Sequence, residues 1–331
     1  YETLARRQNL DPSVVSEIIL GCVTQYGEQA ANIAKTSSLL ARWPATIAGM
    51  TLNRFCSSSI DAIALAALKV AAGHSSAVLA GGVEMMSRVP LMADRARVFA
   101  DHEYGVSHQV LLMGAGADLI AERVGASRAD CDAVAYLSHR RALRAQHEGR
   151  FTSVVPIKTP SGSVSLDECI RPSLTAERLA AMPPAFLTLG AAGSDAVQLS
   201  QYPGLTKITH VHTAGNSPAM CDAAAVLLVG SKMLASDQGL TPKVRIVDSV
   251  TCCGEPLEVV SGCVAATKAI LSRNKLSPSD VDVFEIHEAF AATIVKLQRE
   301  LEIDSARLNI NGGCIALGHP MGATGAIMAG T

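Results

Sequence analysis

Thr51-Leu52-Asn53-Arg54-Phe55-Cys56-Ser57-Ser58-Ser59-Ile60-Asp61-Ala62 joins two kinds of pattern. The apolar run from Thr46 to Leu52 reads as a strand. Ile60, Ile63, Ala64, Ala67 and Leu68 then recur at the spacing that buries one face of a helix. Cys56 stands at the join, beside three serines suited to a helix start. Unpaired N–H groups and aligned peptide dipoles give such a terminus partial positive charge. That placement favours thiolate and predicts an ionised nucleophile at position 56. The plainer reading is a small buried cysteine, the usual fate of a single Cys.

Working outward, the first 85 or so residues alternate strand and helix. Val14–Val23 and Ala77–Val83 read as strands, and Glu28–Trp43 as a helix closed by Pro44. This alternation predicts an α/β layer fold. Glu84 to about Lys207 breaks it with scattered prolines and one long helix, Ala129–Gln146, after Ser127. Its Arg140, Arg141 and Arg144 are expected on a solvated face. The region reads as a lid or loop domain, where binding contacts tend to sit. Leu187–Tyr202 reads as polar and irregular. Alternation returns from Thr213: strands over Ala223–Val229, Val244–Cys252 and Val281–Ile286, helices over Val260–Asn274 and Glu288–Leu301. Two alternating halves around an excursion predict a duplicated α/β unit, although no strict repeat is present.

Composition narrows the function classes. The chain has 331 residues, 49% hydrophobic and 18% charged, so a sizeable core is available. Aromatics are only 4%, which implies close layers built on Ala and Gly. The net charge is −2 without a basic block, which argues against nucleic acid. No run has the length of a membrane span and no signal peptide opens the chain. Nine cysteines at irregular spacing, with no C-x-x-C pair, argue for a reducing intracellular compartment and against a zinc site or disulfide framework. Both ends read as interrupted helices, so the protein is expected to extend beyond them.

Two further stretches carry chemistry. His287, in Phe284-Glu285-Ile286-His287-Glu288-Ala289-Phe290, falls at the carboxyl end of a predicted strand, where open α/β sheets place their sites. Asn309-Ile310-Asn311-Gly312-Gly313-Cys314-Ile315-Ala316-Leu317-Gly318-His319-Pro320-Met321-Gly322 puts His319 on a glycine-rich turn fixed by the proline that follows. The other seven histidines lack such context and read as surface or core residues. A thiol nucleophile needs a proton acceptor, and a developing oxyanion needs donors. Cys56 and His319 make the expected nucleophile–base pair. His287 is expected to orient a water or to donate to a carbonyl oxygen.

NRFCSSS around Cys56, GGVEMMSRVP from Gly81, HTAGNS from His212, HEAFAA from His287 and NINGGCIALGHPMGATG from Asn309 resemble the motifs of the thiolases, in the family's order and across almost the whole chain. The resemblance implies the thiolase fold, two similar α/β halves in five layers with an inserted loop domain. It divides the chain into residues 1–84, a loop domain and return segment 85–211 over the coenzyme A site, and a C-terminal half 212–331. It implies a 3-ketoacyl-CoA thiolase with coenzyme A as co-substrate and no permanently bound cofactor or metal. The partners it implies are acyl-CoA, a second copy or a tetramer of the chain, and a β-oxidation complex. Cys56 is similar to the cysteine that takes up the acyl group, and His319 to the histidine that activates it. His287 stands where many members have Asn. Arg171 resembles the arginine near the adenine nucleotide, Met113 and Phe186 the residues along the pantetheine tunnel, and Phe290 a wall of the acyl pocket. Ser217 lies next to the usual serine contact, whose place Pro218 takes.

Cys314 replaces a small residue, and Asp222-Ala223 replaces a frequent Asp-Gly pair. The family's second catalytic cysteine, in C-x-G-G-G, does not occur before Thr331, and the chain is expected to continue to it. Three alternatives stay open: an acetyl-CoA acetyltransferase running condensation, a ketoacyl synthase, and a non-catalytic acyl-CoA- or lipid-binding relative. Ketoacyl synthases also use Cys with two His, but their His-Gly-Thr-Gly and Phe-Gly-Phe-Gly-Gly segments are absent. Chain length, sterol or fatty substrate, and direction are not determined by these motifs.

Overall fold

A computed structural model describes residues 1–160 and 162–331. Its central sheet is built from β1 (Glu17–Gly21), β2 (Ala48–Leu52), β3 (Ala77–Met85) and, after a hairpin of β4 (Ile157–Thr159) and β5 (Gly162–Val164), β6 (Asp222–Gly230). The order is β2-β1-β3-β6. The first three strands are parallel and β6 runs antiparallel to β3. β6 lies in the segment 212–331, so the central sheet draws on both ends of the chain.

Alternation along these strands supplies both faces. Ile18, Leu20 and Leu79 turn to one side with Trp43 and Ile47. Ile19, Val78 and Ala80 turn to the other, against Ala62, Ile63, Ala66 and Ala326. Each fully buried Ile or Leu contributes roughly 1.5–3 kcal/mol. The helices covering the second side are Ser58–Ala71 and Thr324–Gly330. A separate helical layer joins Met113–Val124, Arg128–His147 and Ala291–Leu301 through Ile120, Ala121, Ala135, Ala291, Ala292 and Val295. Ser127 caps the long helix with a reciprocal Ser127–Asp130 capping box.

Four expectations change. Val244–Cys252 forms no strand; Val244 and Val247 are 82% and 70% exposed, so β-branched composition acts there without a pairing partner. Val281–Ile286 keeps a single parallel bridge, Phe284 to Leu308. The Asn309 side chain replaces the rest of the ladder: Oδ1 accepts from Ile286 N at 2.8 Å and Nδ2 donates to Ile286 O at 2.9 Å. Leu187–Tyr202 is helical, with helices Leu187–Leu189 and Asp195–Gln201 flanking a wide turn at Gly190–Ser194. Arg141 is not a solvated cation; its guanidinium donates to Leu308 O at 2.6 Å and Ser305 O at 2.7 Å.

Glu84, at the end of β3, is fully buried. Its carboxylate accepts from Val23 N, Thr24 N, Gln29 Nε2 and Gly322 N at 2.9–3.1 Å. One side chain thus ties the ends of β1 and β3 to the turn that carries His319. Every partner is a donor, on both oxygens, so an amide cannot replace it without setting N–H against N–H. Glu84→Ala is expected to lower unfolding free energy by about 3–5 kcal/mol and Glu84→Gln by about 2–3. Urea denaturation measures both; a Gln variant as stable as the parent would remove Glu84 from this role.

Candidate active site

The carboxyl ends of the parallel strands are in register, Gly21 opposite both Leu52 and Gly82. Cys56 leaves β2 four residues later through a strained turn. Phe55 is held at φ 47°, a left-handed conformation unusual for a large side chain. Local hydrogen bonds enforce it: Asn53 Oδ1 accepts from Phe55 N at 2.8 Å, and Ser58 Oγ donates to Phe55 O at 2.6 Å. The helix begins at Ser58 with Ser57 as its cap residue, as the serines predict, although the Ser57 side chain makes no capping bond.

His319 comes from the other end of the chain. Its N–H donates to Ala219 O at 2.8 Å. Gly318 before it has φ 82°, and a Cβ there would lie 2.5 Å from Cys221 Sγ and 2.9 Å from Cys169 Sγ, so only glycine fits. Gly322 lies against Cys22 and Glu84 with equally little room. This close approach brings His319 Nε2 to 3.0 Å from Cys56 Sγ. His319 Nδ1 pairs with Thr324 Oγ1 at 2.7 Å. If the ring proton sits on Nδ1, toward Thr324, Nε2 is left to accept from the thiol.

His287 completes the set. The rings of His287 and His319 are tilted by 46° with centroids 4.4 Å apart. His287 Nδ1 meets Cys314 Sγ at 3.1 Å, and its Nε2 is buried without a hydrogen-bond partner among the described residues. Glu288 anchors the segment, accepting from Ser138 Oγ, Asn309 Nδ2 and Ile315 N at 2.8–3.0 Å. Burial raises the Glu288 carboxyl above its ordinary range, and pushes its neighbour Glu285 up to about 8.

The predicted ionisation of Cys56 needs correction. The residue keeps partial surface exposure, but its sulfur lies deep among protein atoms, and burial pushes the thiol up to about 11. Backbone hydrogen bonding at the helix start opposes this and the charge of Glu84 adds to it. Burial also lowers His319 well below the usual histidine range, with His287 adding to the effect, and lowers His287 to about 4. Desolvation outweighs the helix dipole, so the resting pair is a thiol and a neutral imidazole. At pH 7 the thiol form therefore predominates. Because the thiol titrates above its ordinary value, alkylation of Cys56 by iodoacetamide should rise about tenfold per pH unit from 7 to 10. A rate already on a plateau below pH 7 would instead reveal a preformed ion pair.

The remaining predicted contacts fall into two groups. Phe186 and Phe290 meet edge to face with ring centroids 5.6 Å apart, and the Phe186 ring lies against Gly114, next to Met113. Arg171 donates to Ala214 O at 3.3 Å, three residues before Ser217, whose Oγ is buried without a partner among the described residues. No hydrogen bond joins either group to Cys56 or the two histidines among the described residues. A cavity of about 730 Å³ beside Arg140, Arg144 and His147 is lined by none of these residues.

Residue patterns missed three supports. His212, read as an ordinary core or surface histidine, donates from Nδ1 to the buried Asp118 at 2.7 Å; its Nε2 accepts from Ala292 N at 3.3 Å and its ring packs on Phe290. It therefore fixes the helix that follows His287. Thr324 and Cys314, the partners of the His319 and His287 rings, were also missed as such. Thr324 has a weak signal, five residues after His319 in the same motif.

The family description "Thiolase, N-terminal domain" matches residues 1–201, and "Thiolase, C-terminal domain" matches residues 240–331. The chain is 35% identical over 342 residues to a 3-ketoacyl-CoA thiolase of Colwellia psychrerythraea, covering 100% of this chain and 82% of the relative. It is 37% identical over 352 residues to a 3-oxoadipyl-CoA/3-oxo-5,6-dehydrosuberyl-CoA thiolase of Escherichia coli, covering 99% and 83%. Among solved structures, human mitochondrial 3-ketoacyl-CoA thiolase in complex with CoA superimposes with a TM-score of 0.84 at 27% identity, covering 99% of this chain and 82% of the other. Bacillus anthracis acetyl-CoA acetyltransferase gives 0.82 at 33% identity, with the same coverage.

Proposed function

Because the chain belongs to the thiolase family and is an acyltransferase of the thiolase fold, we propose that it cleaves 3-ketoacyl-CoA with coenzyme A, in the degradative direction. The observation that carries this reading is the 3.0 Å approach of His319 Nε2 to Cys56 Sγ. In the proposed reaction His319 takes the thiol proton as Sγ bonds to the ketone carbon C3. His287 Nε2, with the ring proton on that nitrogen and Nδ1 accepting from the Cys314 thiol, donates to the oxygen on which charge develops. The C3 oxyanion then re-forms its carbonyl, the C2–C3 bond breaks with its electron pair going to C2, and C2 takes up a proton from solvent, so acetyl-CoA leaves. The shortened acyl group remains as a thioester on Cys56. The thiol of coenzyme A attacks that carbonyl and loses its proton to solvent, the Sγ–C bond breaks with its electron pair on Sγ, which takes back the proton held by His319, and the acyl-CoA product departs.

Arg171, Met113, Phe186, Ser217 and Phe290 are proposed to hold the coenzyme and acyl chain. The unpartnered Ser217 Oγ and the Phe186–Phe290 pair support that assignment. A homodimer or homotetramer is proposed from the sheet edge at β2, where Met50 is 36% exposed, and from the helix packed on that strand, whose last residue Leu40 is 84% exposed. A reducing compartment is proposed because all nine cysteines are free thiols, Cys56 included. No helix of the described residues is long and apolar enough to cross a membrane.

The deciding experiment incubates purified protein with free coenzyme A and 3-ketoacyl-CoA substrates from four carbons upward. Acetyl-CoA should appear together with an acyl-CoA two carbons shorter than the substrate. Turnover with acetyl-CoA alone, forming acetoacetyl-CoA and no thiolysis of longer substrates, would favour condensation. The absence of both product and acyl-enzyme would defeat the enzymatic reading.

A further inference from the structure

Cys56 lies more than two hundred residues before His287 and His319, which are themselves 32 residues apart, so no local spacing announces them as a set. Folding nevertheless brings one ligand-capable atom from each to within 4.8 Å of the others. We propose that these three residues also form a binding site for a thiophilic divalent cation, Zn²⁺ by the chemistry of the donors, and that occupancy shuts off the nucleophile. This rests on the geometry of the donors and not on the thiolytic reading.

One thiolate and two imidazoles with an open fourth position are a recurrent Zn²⁺ donor set. With Zn–S about 2.3 Å and Zn–N about 2.0–2.1 Å, a tetrahedral ion holds its S and N ligands about 3.5 Å apart. Cys56 Sγ and His319 Nε2 stand at 3.0 Å, so they need to part by only a few tenths of an ångström. The two imidazole rings lie side by side, with centroids 4.4 Å apart.

The second observation is His287 Nε2. It is buried and has no partner among the described residues, while the ring's other nitrogen is occupied by Cys314 Sγ at 3.1 Å. His319 is arranged likewise, with Nδ1 against Thr324 Oγ1 at 2.7 Å. A ligating histidine normally donates its second N–H to such an outer partner, which orients the ring and leaves the other lone pair free. A thiol and a hydroxyl accept as well as donate. Each ring can therefore carry its proton on Nδ1 and present Nε2 to a metal.

Binding is balanced by loss of one proton: the Cys56 S–H bond breaks, a Zn–S bond forms, and the proton leaves to solvent. The fourth position takes water or the free thiol of coenzyme A. While the ion is bound, His319 cannot accept a proton and Sγ cannot attack a carbonyl.

The test uses the full chain, stripped with a chelator and titrated first with Co²⁺ and then with Zn²⁺. A thiolate-to-cobalt charge-transfer band and intense tetrahedral d–d bands should appear, and one equivalent of Zn²⁺ should remove them. The same equivalent should protect Cys56 from iodoacetamide. Cys56→Ala should lose the charge-transfer band, and His287→Asn should weaken Zn²⁺ binding at least about tenfold. Cys314→Ala tests the outer partner without touching a ligand, with a loss of about tenfold expected. A band that persists in Cys56→Ala, one that disappears in Cys169→Ser/Cys221→Ser, or an octahedral cobalt spectrum alone would overturn the proposal. Acyl-enzyme formation by the chelator-treated protein is a separate measurement, so the two ideas fail independently.

Discussion

Cys56→Ala is expected to lower thiolysis by a factor of about 10,000 or more, to leave no acyl adduct detectable by mass spectrometry, and to retain coenzyme A binding within about threefold. The size of the loss follows from the lack of a substitute. Cys314 is another thiol at the site, but it is buried, its pKa is held well above the ordinary range, and its sulfur is engaged with His287. The hydroxyls of Ser57 and Ser58 are bonded to the backbone at Arg54 O and Phe55 O. Removing one sulfur atom from a residue that keeps partial surface exposure creates only a small cavity, so the melting temperature should fall by only a few degrees. Cys56→Ser keeps the shape, but its hydroxyl is a far weaker acid than the thiol, and about a thousandfold loss is expected. A normal acyl adduct on the alanine variant would end the assignment of Cys56 as nucleophile.

The junction residues were legible because their signal is local. A strand that ends, a cysteine, then serines and a helical period describe the turn at Cys56 within twelve residues, and the structure has that turn. His319 was legible for a similar reason, since glycines on both sides and a proline after it leave few alternatives. The state of the sulfur was not legible. The helix-start argument counts one favourable term, whereas burial by two histidine rings and the closing turn is a tertiary fact that reverses its sign. The strands over Val244–Cys252 and Val281–Ile286 failed for a related reason. Apolar β-branched runs describe a preference, and a ladder also needs a neighbour. At Ile286 the neighbour is a side-chain amide, which no periodicity reveals. His212 was passed over because its partners, Asp118 and Ala292, lie 94 and 80 residues away.

His319→Ala should lower kcat by about 100- to 10,000-fold and leave KM for coenzyme A nearly unchanged, since the ring bears on the proton and not on the nucleotide. A thiol held near pKa 11 is not a nucleophile at neutral pH until something removes its proton. His319 Nε2 is the acceptor in hydrogen-bond reach, and Thr324 keeps the ring turned toward the sulfur. The double variant Cys56→Ala/His319→Ala should be no slower than Cys56→Ala alone, because the base has no function without the thiol. The pH dependence has a definite sign. His319 is lowered well below the usual histidine value, so it remains the free base as pH falls through 7 and 6. Activity should therefore hold across that interval and fail only at lower pH, when the imidazole protonates. Thr324→Ala leaves the base in place but releases its ring, so a smaller fall in kcat with the same acid limb is expected. Loss of activity centred near pH 6.5 in the parent protein would mean that the ring is solvated and the buried thiol–imidazole pair is wrong.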